Sequence, residues 1–353
     1  MSFVKKRIEY IDDVDEFNRL LKIARDNRLV KLGPCTSREV GPIAYIDDKL
    51  TTIELTLKQG KACTYVFNKT FNTQPKTITG LDAYIQLAKS FVKATGYKIP
   101  EYDRSIGSAT ALLGYRPDIA DHQRVQAVSY DVNSAYGWAM TQPMPDTRKP
   151  AAVCGRVGKN QVGFIVDDEE EIDGFITSGT ISLQMVHEGR KAEFIFDLMD
   201  SPFTEFANKW YKKKSEPKNQ DEKDKAKQML CYSVGYLQRK NPFLRAAIVE
   251  YTNQFIRSLI DKNTIYVNTD CIISTEPREL PIGKAMGQFK KDHEGMFANS
   301  GFNYQWDLEI PKYRGIPKAW FPENWDILTD PVPCNRNIYE LNGITLQMEA
   351  YNG

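Results

Sequence analysis

Two aspartates, each close behind a short apolar run, have the type and position best suited to chemistry. Asp131 follows the run 125–130, which is typical of a buried strand, and Asp270 follows the apolar residues 265–267 after two intervening residues. If the two strands are neighbours, the carboxylates meet and offer hard oxygen ligands, which favour Mg²⁺ or Mn²⁺ over zinc. The Val132 carbonyl adds a further oxygen. The pattern predicts a site for two divalent ions that can support phosphoryl transfer.

A third segment supplies positive charge at helical spacing. Lys227, Cys231 and Val234 lie at i, i+4 and i+7, so they share one face of a helix. The lysine is a compact point charge of the kind that binds phosphate groups. The residues after Asp131 predict a sharp turn whose backbone N–H groups bind the same phosphates, and these residues are Asn133, Ser134, Ala135 and Tyr136.

Each segment, taken alone, also has a plain structural explanation. Asp131 is also an ordinary carboxylate at a strand end, and Lys227 is also an ordinary solvated lysine on a helix. The run Asn268-Thr269-Asp270 is typical of a turn, because Asn and Asp favour turns. The order of the three segments along one chain is what favours a common site.

Together the three segments resemble motifs A, B and C of family B DNA polymerases, particularly the protein-primed polymerases of phages and linear plasmids. The family patterns are D-x-x-S-L-Y-P, K-x-x-x-N-S-x-Y-G and Y-x-D-T-D. The matching residues in this chain are Asp131, Ser134 and Tyr136 for A, Lys227 and Gly235 for B, and Tyr266, Thr269 and Asp270 for C. Residues 206–210 resemble the family's F-x-D-K-W element. The resemblance covers roughly residues 124–275.

The resemblance implies template-directed DNA synthesis from dNTPs on a primer-template, with two Mg²⁺ ions or Mn²⁺ in their place, in phage or plasmid replication. A replication or priming protein is a further expected partner. Asp131 and Asp270 are the implied catalytic metal ligands, and Thr269 is an implied DNA contact. The turn after Asp131 and the helix face of Lys227 are the implied nucleotide-binding residues. Tyr136 is expected beneath the deoxyribose, where its ring leaves no room for a 2′-hydroxyl.

Four departures from the motifs leave other functions open. Cys231 replaces an Asn, Val234 a Tyr, Gly137 a Pro, and Asn268 the first Asp of motif C. These departures are compatible with a primer-making or weakly templated nucleotidyl transferase, and with a catalytically silent DNA-binding protein derived from a polymerase. A two-metal nuclease would use the same carboxylates but leave Lys227 without a role. Residues 1–120 lack a D-x-E exonuclease motif, so we expect no proofreading.

The fold class implied by the resemblance is α+β: a polymerase palm, in which helices pack on an antiparallel sheet, with helical fingers. A small N-terminal α+β domain and a short thumb-like C-terminal region complete the expected architecture. The expected boundaries are 1–120 for the N-terminal domain, 121–204 and 263–280 for the palm, 205–262 for the fingers and 281–353 for the thumb-like region.

Hydrophobic spacing predicts the elements that position the site. The predicted elements are a helix over 14–24, a hairpin of 52–57 with 62–67, a helix over 81–91, a long helical region from about 206 to 259 with a break at Gly235, and a tight hairpin of 265–267 with 271–273. The last hairpin presents Asp270 at its turn.

Composition excludes several classes of protein. With 41% hydrophobic and 26% charged residues among 353, the chain is neither disordered nor membrane-spanning, and the absence of a signal sequence predicts a cytoplasmic location. Six scattered cysteines and three histidines argue against zinc. The net charge is +1, but lysines cluster over 209–227. The expected DNA contacts are Lys212, Lys213, Lys214, Lys312 and Lys318, and the adjacent lysines of the run 290–294 also suit a phosphate backbone.

Overall fold

The structure is a computed structural model that describes residues 30–35, 51–56, 62–67, 78–119, 123–149, 151–167, 172–177, 182–307, 309, 311–312, 326–329, 339–341 and 344–346. The predicted helix over 14–24 and the predicted DNA contact Lys318 lie outside these residues. The chain divides into two compact units. One comprises 1–75, 122–124 and 296–353, and the larger one comprises 76–121 and 125–295.

The described elements are five α-helices and seventeen strands. The helices are α1 Gly80–Thr95, α2 Ala135–Ala139, α3 Thr204–Ser215, α4 Gln220–Leu237 and α5 Pro242–Arg257. The strands are β1 Val30–Cys35, β2 Thr51–Thr56, β3 Ala62–Phe67, β4 Leu113–Tyr115, β5 Val125–Val132, β6 Met144–Pro145, β7 Ala152–Arg156, β8 Gln161–Asp167, β9 Ile176–Thr177, β10 Ser182–Val186, β11 Lys191–Met199, β12 Thr264–Asn268, β13 Cys271–Ser274, β14 Phe289–Ser300, β15 Asn303–Trp306, β16 Tyr339–Leu341 and β17 Ile344–Leu346.

The first unit contains short antiparallel sheets. Strands β1, β3 and β2 pair in that order, which confirms the hairpin predicted over 52–67. Phe297 to Ser300 pair with β15, and Arg124 forms a 2.7 Å ion pair with Asp326. The thumb-like role expected of the C-terminal region stays a prediction.

The larger unit is built on two antiparallel sheets. The first sheet has the order β14-β5-β13-β12-β4-β9, so β5 lies between β14 and β13. We call it the palm sheet because it contains the strands expected in the palm. The predicted tight hairpin is confirmed, because β12 pairs antiparallel with β13. The second sheet has the order β10-β8-β11-β6, and β7 also pairs with β11. The fold is thus α+β with antiparallel sheets, as expected.

Three separate helices replace the long helical region predicted from about 206 to 259. The predicted break at Gly235 is wrong, since this glycine lies inside α4 with open space where a Cβ would lie. The chain instead leaves the helix after Leu237, and Asn241 caps α5 by accepting a hydrogen bond from the Leu244 N–H. Pro242 lies at the start of α5, where a backbone N–H has no acceptor within the helix. Because proline lacks this N–H, no helical hydrogen bond is lost and the helix starts readily.

The N-terminal boundary expected at residue 120 differs from the division in the structure. Helix α1 packs along α4. Its residues Ala83, Leu87 and Phe91 are buried in the same core as residues of α3, α4 and α5. Residues 76–121 therefore belong to the larger unit. None of the helices described is both long and apolar enough to cross a membrane.

Candidate active site

Asp131 lies at the end of the central palm strand, where the chain turns. Residues 127–130 of β5 are buried, which fixes the strand in the sheet, whereas Asp131 is half-buried. Ser134 then adopts a left-handed backbone with φ 53°, and the short helix α2 follows. The sharp turn predicted after Asp131 is confirmed, because this conformation reverses the chain within one residue.

Asp270 reaches the same place from the neighbouring strand. The β12–β13 hairpin turns at Thr269, whose φ is 61° and whose N–H donates to the Leu112 carbonyl at 2.6 Å. Cys271 is then directly opposite Asp131 in the β13–β5 register. The Val132 N–H donates to the Asp270 carbonyl at 2.9 Å. The two aspartates thus lie on hydrogen-bonded neighbouring strands, which is the condition that the sequence prediction required.

The electrostatics of Asp270 reflect this crowding. Burial, together with the negative charge of Asp131, raises the pKa of Asp270 to about 7. The positive charges of Lys214 and Lys290 act on this pKa in the opposite direction. A carboxyl group with these neighbours stabilises an added cation, because a positive charge relieves the repulsion between the two carboxylates.

Lys290 belongs to the site although no motif in the sequence marks it. It lies on β14, the strand on the other side of β5, and its Nζ is 2.8 Å from Asp131 Oδ2 and 3.0 Å from Asp292 Oδ1. Burial opposes the charge on Lys290, yet its hydrogen bonds to both aspartates raise its pKa above the usual value. The adjacent lysines of the run 290–294 are visible in the sequence, but only the strand pairing brings Lys290 to Asp131.

Three consecutive lysines of α3, expected together as DNA contacts, have different surroundings because helix residues are rotated by about 100° each. Lys214 is half-buried, and its Nζ donates to Ser134 Oγ at 2.7 Å. Burial lowers the pKa of Lys214. Lys213 pairs with Glu222 at 2.8 Å. Lys212 is exposed and borders a surface pocket on another side of α3. Lys214 therefore joins the candidate site.

The predicted face of α4 contributes two of its three residues. Lys227 is exposed and close enough to interact electrostatically with Lys214 and Cys231. The Cys231 residue is exposed at the surface. Desolvation of its thiol raises the pKa of Cys231, and the negative charge of Asp270 raises it further. Val234 is only 2% exposed and belongs to the helical core, so the structure does not bring it to the cluster. The last turns of α4 enter the core, whereas its middle borders the site.

The turn after Asp131 is less available for phosphate binding than the sequence suggested. The Asn133 N–H donates to the Gln288 carbonyl at 2.8 Å, and its side-chain amide donates to the Gly283 carbonyl at 2.6 Å. Both donors of Asn133 are therefore engaged by the loop 281–288. The side chain of Ala135 is buried. The first backbone N–H groups of α2, which include that of Ala135, have no acceptor within the helix.

Tyr136 is half-buried beside the carboxylates. Burial raises its pKa to about 12, and its charged or titratable neighbours are Arg245, Asp270 and Cys231. At Gly137, a Cβ would lie 3.0 Å from Met286 Sδ, so a larger residue there would require this Met side chain to shift by a few tenths of an ångström. A proline at this position, as in the family motif, would crowd the loop 281–288.

Thr269 and Lys312 complete the predicted set. Thr269 lies at the hairpin turn beside Asp270, and its Oγ1 donates to Asn268 Oδ1 at 3.5 Å. Lys312 belongs to the first unit, where its Nζ donates to the Tyr304 hydroxyl at 2.7 Å and lies 4.9 Å from the centre of that ring.

The donor set fits a divalent cation that also binds substrate. Within the part of the chain that the structure describes, no group of three or more His, Cys, Asp or Glu side chains is arranged to hold a metal. Mg²⁺ is commonly held by one or two carboxylates together with substrate phosphates and water. Asp131 and Asp270, with the repulsion that raises the Asp270 pKa, meet this requirement.

Comparison with known proteins places the chain among the polymerase folds. The structure is similar to that of Phi29 DNA polymerase complexed with primer-template DNA in a post-translocation binary complex, with a TM-score of 0.53 and 14% identity over 79% of this chain and 68% of that one. An orthorhombic crystal form of the same polymerase gives a TM-score of 0.49 at 12% identity over 79% and 60%.

These structural matches concern the fold. The chain spans 54% to 68% of the length of the neighbouring structures. No protein-family model matches the sequence, and no curated protein matches it.

Proposed function

We propose that this protein is a DNA polymerase that extends a primer 3′-hydroxyl with dNTPs on a template. The observation that carries the proposal is the pairing of β5 with β13, which brings Asp131 beside Asp270 on a polymerase fold. Two Mg²⁺ or Mn²⁺ ions bound there would lower the pKa of the primer hydroxyl and neutralise the pyrophosphate that leaves.

The other residues of the site have roles that follow from charge and position. Lys214 and Lys227 provide positive charge for the triphosphate, and the hydrogen bond from Lys214 to Ser134 Oγ holds its ammonium beside the turn. Ammonium groups act as point charges toward phosphate. The ring of Tyr136, a residue of α2 that packs against the helical core, is the proposed barrier to a 2′-hydroxyl.

Primer extension tests the proposal directly. The full chain is incubated with a labelled primer-template, dNTPs and Mg²⁺ or Mn²⁺. Products that follow the template sequence are expected, and they should disappear when Asp131 or Asp270 is replaced by Ala. Extension that ignores the template would instead favour a weakly templated nucleotidyl transferase. DNA binding without any extension would indicate a silent relative.

The primer-making alternative is tested in the same assay. When the primer is omitted and rNTPs are supplied with a single-stranded template, a primer-making enzyme yields short labelled RNA. We expect no such product, because the proposed position of Tyr136 disfavours ribonucleotides.

A further inference from the structure

The ion pair between Lys290 and Asp131 is unusual because it uses a carboxylate that the proposed function assigns to metal binding. The distance is 2.8 Å, and the Asp131 side chain is only 25% exposed. Lys290 is therefore a positive charge placed directly at the oxygen Oδ2 of a proposed metal ligand.

The backbone fixes Lys290 at this position. The Asn133 N–H donates to the Gln288 carbonyl at 2.8 Å, and the Gly287 N–H donates to the Asn133 carbonyl at 3.0 Å. These bonds join Asn133, two residues after Asp131, to Gln288 and Gly287, two and three residues before Lys290. Phe289, between Gln288 and Lys290, is fully buried. The backbone of Lys290 is thus held next to β5, which places its side chain within reach of Asp131.

Lys290 also has a second carboxylate partner, Asp292. Its Nζ is 3.0 Å from Asp292 Oδ1, and the Asp292 side chain is 53% exposed. An ammonium displaced from Asp131 therefore keeps a carboxylate partner on its own strand.

We propose that Lys290 is an internal cation that competes with a divalent metal ion for Asp131, and that metal binding displaces its ammonium toward Asp292. This inference rests on the proposed function, since that function makes Asp131 a metal ligand. It adds that Lys290 sets the concentration of Mg²⁺ or Mn²⁺ that the site requires. The charge balance agrees, because two lysines, Lys214 and Lys290, already oppose the two carboxylates.

Manganese binding to the full chain, without DNA or nucleotide, tests the inference. The loss of the free Mn²⁺ signal in electron paramagnetic resonance gives the affinity. Lys290→Met should bind Mn²⁺ about tenfold more tightly than the wild type, because a unit charge near the ion is removed. Lys290→Arg should bind as the wild type does. Asp292→Asn should bind more weakly, because the displaced ammonium loses its second partner.

The neighbouring residues of β14 supply matched controls. Lys291 pairs with Glu294, and both side chains are about half exposed. Lys291→Met and Glu294→Gln make the same changes of charge without touching Asp131, so their Mn²⁺ affinity should equal that of the wild type. Circular dichroism verifies that each variant is folded.

Two results would overturn the inference, and they differ. If Mn²⁺ binding depends on Asp131 but is the same in the wild type and in Lys290→Met, then Lys290 does not compete and this inference alone fails. If Asp131→Asn binds Mn²⁺ as well as the wild type does, then Asp131 is not a metal ligand. The metal role in the proposed function then fails as well.

Discussion

The two sheets of the larger unit place their carboxylates in opposite environments. In the palm sheet, Asp270 is crowded by Asp131, and its pKa is raised to about 7. In the second sheet, Asp197 of β11 is 51% exposed, and hydrogen bonds from Gln161 and Lys149 lower its pKa. Asp197 is therefore stably ionised and already has its partners. The comparison shows that like charges crowd together where strand ends of the palm sheet meet, whereas the exposed strand carboxylate of the second sheet is paired.

Positive φ values distinguish the sheets further. Among non-glycine residues, they occur at the strand ends of the palm sheet at Ser134, three residues after Asp131, and at Thr269, next to Asp270. In the second sheet they occur at Cys154 and Asn160, where the neighbouring positions carry no pair of carboxylates. A left-handed residue thus lies close to each aspartate of the pair in one sheet, whereas in the other such residues lie within strand β7, at Cys154, and in the turn before β8, at Asn160.

The largest effect should come from the carboxylates themselves. Asp131→Ala or Asp270→Ala should lower nucleotide incorporation by on the order of 10³-fold or more, because metal stabilisation of the transition state is worth several kcal/mol. Primer extension measures this loss. Asp197→Ala, in the second sheet, should extend primers as the wild type does. Comparable losses in all three variants would mean that the sheets do not differ in function.

The next effect distinguishes adjacent lysines of α3. Lys214→Met should lower kcat/KM for dNTP roughly tenfold to hundredfold, since a hydrogen bond involving a charged group is worth about 1.5–3 kcal/mol. Lys213→Met should change it less than about threefold, because Lys213 pairs with Glu222 and not with a group of the candidate site. Steady-state kinetics of single-nucleotide incorporation provide the measurement. Equal effects would assign both lysines to a solvated surface.

Sugar selection should change by a smaller factor. Tyr136→Val should raise the ratio of rNTP to dNTP incorporation about tenfold, because the ring that opposes the 2′-hydroxyl is removed. Tyr251 is the matched control, since it packs against the same core and burial likewise raises its pKa to about 12. Tyr251→Val should leave the ratio unchanged. A ratio unaffected by Tyr136→Val would make that residue a core tyrosine only.

The smallest effect is on stability. Asp270 has a pKa of about 7 when folded against an ordinary value of 3.8, so between about pH 4 and 7 the folded state binds more protons than the unfolded state. The free energy of unfolding must then fall as pH rises through this window. Without metal, the wild-type Tm should fall between pH 5 and 7.5 by a few degrees more than that of Asp270→Asn. Differential scanning calorimetry measures both.

Asp197→Asn is the control for this pH dependence. Because the pKa of Asp197 is lowered, its contribution has the opposite sign and is lost only as pH falls. The Asn variant should therefore retain the wild-type fall in Tm between pH 5 and 7.5. If the Tm of the wild type and that of Asp270→Asn change by the same amount across this range, the result contradicts the raised pKa of Asp270.

Much of the local structure follows from short-range pattern. The apolar runs around 125–130 and 265–273 predict the strands, and the interval Asn268-Thr269-Asp270 predicts the hairpin turn. The helix break lies between α4 and α5 rather than at Gly235, because glycine is a weak helix breaker. A single glycine in a packed helix costs only about 1 kcal/mol, whereas the Asn241 cap followed by Pro242 is the stronger signal.

The sequence by itself determined the residue types of the site, the two strand ends that carry aspartates and the helix that carries Lys227. Only the tertiary structure decided which groups meet. The pairing of β14 with β5 brings Lys290 to Asp131, and the rotation of α3 sends Lys214, but not Lys213, to Ser134. The physical reason is that ion pairs and strand neighbours depend on contacts between residues far apart in the chain, which no local periodicity encodes.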